Sequence, residues 1–127
     1  SLFVAAIGIA NTMMMSIYER TKEIGVLKVL GCALGDIRTM FLMEAGFIGF
    51  MGGVLGLGLS YSVSAAINKF LGASFSSMTG GSGAISRIPL WLSGSAVVFA
   101  VLIGMLAGLF PALRAMKLSP LAAIRNE

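Results

Sequence analysis

The stretch Tyr18-Glu19-Arg20-Thr21-Lys22-Glu23-Ile24-Gly25-Val26-Leu27-Lys28-Val29-Leu30-Gly31 separates two long apolar runs, and its reading decides the fold. Five of its fourteen residues are charged, in a chain that is 11% charged overall. A compact charged passage between apolar runs reads as a water-phase connection between two membrane spans. On a helical wheel Ile24, Leu27 and Leu30 share one face, with Lys22, Gly25 and Lys28 opposite. Glu23 falls inside the apolar arc, so the amphipathic pattern is imperfect. Gly31 is placed to end the helix as a left-handed residue just beyond its last turn. Asp36 is placed to cap the helix that follows.

The surrounding composition supports the membrane reading. The 127 residues are 57% hydrophobic, with a mean hydropathy of +0.98. That apolar share exceeds the soluble norm, and a polar coat cannot be drawn from it. Only helices and closed barrels satisfy the backbone inside a bilayer. The apolar runs are too long and too little alternating for barrel strands, which leaves an all-α membrane protein.

Three spans follow, with a charged segment, an outer loop and a tail between and after them. The first, residues 1–17, is only ~24 Å long as a helix, short of the ~30 Å hydrocarbon core. This is the expectation for a span truncated at its N-terminal side. Residues 18–38 form the charged helix and turn, and 39–68 the second span. At ~43 Å the second span must tilt or begin in the interface. Residues 69–89, rich in Gly and Ser, read as a loop with a short interfacial helix near Leu71 and Phe75. The third span covers 90–113, and 114–127 form a tail.

Charge sets the orientation. Arg20, Lys22, Lys28 and Arg38 flank the first connection, and Arg114, Lys117 and Arg125 follow the third span. Only Lys69 and Arg87 lie between spans two and three. The two basic regions fall on one side of a three-span chain, and that side is expected to be cytoplasmic. Ser1 then lies outside, and an outer N-terminus without a basic leader is the expectation for a chain with a further span upstream. The net charge of +4 is accounted for by orientation, so nucleic acid is not expected as a partner; the lipid bilayer is.

Few residues offer chemistry. Cys32 is the single cysteine and histidine is absent, which excludes an internal disulfide, a Ser/His protease and the usual zinc spacings. No P-loop or nucleophile elbow is present. No catalytic, cofactor-binding or metal residue is expected. Glu44, within the second span, could serve a proton relay or a structural ion pair. Asn11 and Thr12 in the first span are expected to hydrogen-bond between helices. Gly49/Gly53 and Gly52/Gly56 in span two, and Gly104/Gly108 in span three, are small residues four apart. They suit close helix packing, here assigned to Gly49, Gly53, Gly56, Gly104 and Gly108, the alternative being a mobile interface along which helices slide. Pro111 interrupts the hydrogen bonding of span three. Ser119-Pro120 reads as a turn starting a short helix. From the residues alone, the charged helix could anchor to headgroups or dock a partner.

The passage from Asn11 to Gly31, above all Tyr18 to Gly25, resembles the cytoplasmic signature of the FtsX-like permease family. That family includes the MacB-type and lipoprotein-releasing (LolC/LolE-type) ABC transporters. The similarity continues through Phe41-Leu42-Met43-Glu44-Ala45-Gly46-Phe47-Ile48-Gly49 and Gly52-Gly53. It ends in Ala107-Gly108-Leu109-Phe110-Pro111-Ala112 and Ser119-Pro120-Leu121-Ala122-Ala123-Ile124-Arg125. Three ordered motifs thus cover the chain apart from its outer loop.

The resemblance implies spans two to four of a four-span permease in a bacterial plasma (inner) membrane. It implies that the cytoplasmic helix is a coupling helix docking on an ABC ATP-binding subunit, through Glu19, Arg20, Lys22, Glu23, Ile24, Gly25, Leu27 and Lys28. ATP and magnesium would sit on that partner and not on this chain. It further implies a dimer with a second permease copy or a related permease, and mechanical transmission to the outer side for lipoprotein release or drug or peptide export. Two readings of other classes stand beside it: a small membrane scaffold without an ATPase, and a proton-coupled carrier using Glu44.

Overall fold

A computed structural model describes residues 1–31, 33–81 and 84–117. The described chain is helical, in the order α1 (Leu2–Glu19), α2 (Thr21–Val29), α3 (Leu34–Phe70), α4 (Gly72–Thr79) and α5 (Leu90–Met116). Three of these helices, α1, α3 and α5, are long and apolar enough to cross a membrane. The Ser119-Pro120 turn and Cys32 lie outside the described residues.

The first two helices are almost one. Only Arg20 separates them, and its φ of −100° and ψ of 11° break the helical path. The local cause is Thr21, whose hydroxyl donates to the carbonyls of Ile17 at 2.8 Å and Tyr18 at 3.1 Å. Such back-bonding competes with the main-chain ladder and bends a helix. Helix α2 ends as its sequence implies. Gly31 takes φ +87°, a left-handed conformation that costs a glycine nothing.

Helix α3 starts at Leu34, five residues before the 39 read from hydropathy, because its first turn is polar. Ala33 occupies the cap position and makes no side-chain cap hydrogen bond. Asp36 therefore lies inside the first turn and does not cap it. Its carboxylate still faces the positive end of the helix dipole. With 37 residues, α3 is ~55 Å long and overreaches the ~30 Å hydrocarbon core. The interfacial helix expected near Leu71 and Phe75 is α4, closed by Gly80 at φ +63°.

The pair α3 and α5 forms the backbone of the fold, and α1 packs mainly on α5. The core sits at the end where α2 lies. There Met13, Ile17, Ile24, Ile37, Phe41, Ala45 and Ala112 are buried together, with Ile9 and Ile48 packed against them. Pro111 is fully buried beside them, within α5. Elsewhere large apolar side chains face outward along all three long helices, as expected where lipid is the solvent.

Asn11 and Thr12 depart from the interhelical role expected of them. Both are exposed, and the Thr12 hydroxyl donates to Gly8 O of its own helix at 2.9 Å. A threonine can always reach the carbonyl one turn back, so it satisfies itself without a second helix. Glu44 is half-buried, between exposed Met43 and buried Ala45.

Candidate docking site on the basic end

The eight residues proposed for docking divide into two groups. Glu19, Arg20, Lys22 and Glu23 are exposed, whereas Ile24 and Gly25 are buried and Leu27 and Lys28 half-buried. Ile24 is only 1% exposed, seated in the core among side chains of α1, α3 and α5. It therefore cannot be the apolar anchor for an external partner. Removing its side chain from water stabilises the seating of α2 by about 2 kcal/mol. A helical wheel places Gly25 opposite Ile24, on the outer side. It is buried because α2 presents adjacent positions of one turn to its neighbours.

The outward apolar surface of the groove pairs Leu27, from the expected apolar face, with Val26, which lies beside that face. Val26, at 46% exposure, joins Glu19, Lys22, Glu23 and half-buried Leu27 around a groove of about 520 Å³. Two carboxylates and one ammonium thus frame an apolar floor. Such a mixed-charge rim around a small apolar centre suits specific protein recognition. Sequence reading missed Val26 because the apolar face was drawn through Ile24, Leu27 and Leu30 alone, and Val26 lies outside that arc.

Lys28 fixes the other side of the helix. Its ammonium donates to the Met116 carbonyl at 2.7 Å, joining α2 to the last turn of α5. A cation at a helix C-terminus meets both free carbonyls and the negative end of the dipole. Burial lowers the Lys28 pKa below its usual 10.5. This contact also places the first connection and the end of α5 at the same end of the molecule, as three crossings require.

The small-residue positions build the link from that end to the other. A methyl added to Gly49 would stand 2.5 Å from Ala100 O, and one on Gly104 2.7 Å from Ala45 O. Gly53 faces Ala100 Cβ at 3.1 Å from such a methyl, and Gly108 lies against Ala45. Ala45, Gly49 and Gly53 on α3 thus oppose Ala100, Gly104 and Gly108 on α5, both rows at four-residue spacing. The two alanines extend a pattern that the sequence reading confined to glycines. Gly56 departs from it: an added methyl there meets nothing within 4 Å. Beyond Gly53 the helices are bridged by a longer side chain, with Tyr61 Oη 2.8 Å from Ser93 Oγ, so a glycine is not needed for closeness.

Asn68 closes the far end. Its Oδ1 accepts from the main-chain N–H groups of Ile85 and Ser86, each at 2.9 Å. Its Nδ2 donates to Ser86 O at 2.8 Å. Ser64 Oγ adds a 2.9 Å bond to Ser86 Oγ. The segment entering α5 is thereby clamped to α3. Among the described residues no group of three His, Cys, Asp or Glu could hold a metal ion.

Comparison with known proteins agrees with this architecture. Residues 1–120 match the family described as FtsX-like permease C-terminal. The whole chain is 38% identical over 132 residues to the ABC transporter permease YtrF of Bacillus subtilis, covering 30% of that protein. It is 38% identical over 131 residues to an uncharacterized ABC transporter permease, MJ1507, of Methanocaldococcus jannaschii, covering 31% of it. It is 37% identical over 127 residues to the macrolide export ATP-binding/permease protein MacB of Psychrobacter cryohalolentis, covering 18% of it. The chain spans less than a third of the length of these relatives. On the match across residues 1–120 and this three-span architecture, the chain belongs to the FtsX-like permease family.

Proposed function

We propose that this chain is a membrane portion of an ABC transporter that couples ATP hydrolysis, carried out by a cytoplasmic ATP-binding partner, to movement on the outer side of a plasma membrane. It acts as a non-catalytic transmitter, paired with a second permease copy or a related permease. The observation that carries this reading is the double face of α2. Its inner face, at Ile24 and Gly25, is built into the transmembrane core. Its outer face, around Glu19, Lys22, Glu23 and Val26, is exposed and lines a groove. A helix so built cannot shift without moving what it is packed into. The names of relatives, an ABC transporter permease and an ATP-binding/permease protein, support the choice of partner.

Three sets of contacts support a path for such movement. Thr21 joins α2 to α1, and Lys28 joins it to α5. The small-residue rows bring α3 and α5 into close contact as one packed unit. That unit ends at the Asn68 clamp, where it would deliver displacement to whatever lies outside.

Charge reversal tests this directly. Glu19→Lys with Glu23→Lys leaves the core untouched and inverts the rim of the groove. In proteoliposomes holding the transporter complex, it should reduce ATP-driven export at least tenfold while the permease still inserts. Unchanged export with the rim inverted would remove the docking assignment.

A further inference from the structure

The last turns of α5 carry a second groove, of about 310 Å³, lined by Phe110, Leu113, Arg114 and Lys117. Two cations and two apolar side chains make up its wall, with no carboxylate among them. The groove continues an outward stripe of the same helix. Phe99, Leu102, Leu106, Phe110, Leu113 and Lys117 follow one another at three- and four-residue steps, which keeps them on one helical face. Along this stripe Leu106 is 66% and Phe110 67% exposed. From Phe99 to Phe110 the stripe measures ~16 Å, about half of the ~30 Å hydrocarbon core. Arg114 and Lys117 stand at its end, where both line the groove.

We propose that this face binds an anionic phospholipid, with its phosphate between Arg114 and Lys117 and one acyl chain along Phe110, Leu106 and Leu102. Charge and shape together select this occupant. An acidic protein surface would answer the two cations and leave the membrane-depth stripe uncovered. A zwitterionic lipid would cover the stripe and return no net charge to the groove. An anionic lipid matches both halves, since its phosphate lies one leaflet's depth from the tip of its chain. The site adjoins Met116, whose carbonyl receives Lys28, so bound lipid would steady the helix end on which α2 rests. This proposal needs only membrane insertion and is independent of an ATPase partner.

The test uses the full chain, delipidated in neutral detergent and melted with added phosphatidylglycerol or phosphatidylcholine of equal chain length. Phosphatidylglycerol should raise the melting temperature by roughly 5 °C or more at saturation, and phosphatidylcholine clearly less. Arg114→Gln with Lys117→Gln should abolish that excess and keep the phosphatidylcholine response, which also reports that the variant is folded. Arg87→Gln, in the other connection, should keep the whole excess, as should the exchange Arg114→Lys with Lys117→Arg. Should the double variant fail to fold, each single Gln variant should show a reduced excess. Equal shifts from the two lipids would overturn the proposal. So would an excess that survives removal of these cations, or one lost equally in Arg87→Gln.

Discussion

The ammonium of Lys28 donates to the main-chain carbonyl of Met116 at 2.7 Å, across eighty-eight positions of sequence. It is a polar tie between α2 and the end of α5. Replacing Lys28 by Met keeps the stem and removes the donor. The expected loss is about 1.5 kcal/mol, the low end for a charged hydrogen bond because the site is only part-buried. A melt of the variant in detergent checks it, and a value equal to the parent would show the tie to be dispensable.

The same lysine should leave a signature in pH. Desolvation holds its folded pKa below the usual 10.5, so the folded state binds its proton less tightly than the unfolded state. The penalty for keeping it charged is fully present below the lowered pKa. It is relieved as pH rises through the interval up to 10.5, because there the unfolded chain binds more protons. The stability advantage of the parent over Lys28→Met should therefore grow as pH climbs toward that limit. Paired melts across alkaline pH measure it, and a constant or shrinking advantage would contradict the desolvation.

Ile24 and Val26, two positions apart on α2, should separate folding from docking. Ile24→Ala empties a site that is 1% exposed and should cost about 2–4 kcal/mol. Val26→Ala, at 46% exposure, should alter stability by less than about 0.5 kcal/mol. It should nevertheless weaken ATP-driven export if α2 docks as proposed. Melts and transport assays on the two variants give the four values needed.

The glycines make opposite predictions within one helix. Gly49→Ala drives a methyl to 2.5 Å from Ala100 O, against main chain that cannot turn aside. The strain should cost about 1–3 kcal/mol. Gly56→Ala meets open space and should be neutral or slightly stabilising, by up to about 1 kcal/mol, through helix propensity. Thermal melts of the two variants should differ in sign or nearly so.

Asn68 should govern the order of the segment before α5. Asn68→Ala removes all three of its bonds to residues 85–86. Asn68→Asp keeps the two acceptor contacts and loses the donor to Ser86 O. Amide hydrogen exchange at Ile85 and Ser86 should speed at least tenfold in the first and less in the second. Unchanged protection in the alanine variant would show that the clamp does not hold the segment.

The sequence alone determined what depends on local composition and on the chain's own backbone. Long apolar runs marked α1, α3 and α5, because a bilayer accepts only such runs. The basic flanks placed the first connection and the end of α5 together. Gly31 ended α2, since a left-handed turn asks for a residue without Cβ. The family signature around Tyr18 to Gly25 was legible for the same reason, as a contiguous pattern of residue types.

Tertiary structure decided what depends on meetings between distant segments. A helical wheel shows that α2 has apolar residues, but not which of them another helix will claim. Ile24 went into the core because α1, α3 and α5 converge beside it, leaving Val26 outward. Gly49 and Gly104 allow close helix packing because each opposes main chain, whereas Gly56 has the same spacing and no neighbour within 4 Å. Thr12 turned back on its own helix, and Asn68 found its partners across the loop between α3 and α5. Lys28 was singled out for docking by its charge, yet its partner is a carbonyl on α5, which no local pattern could have named.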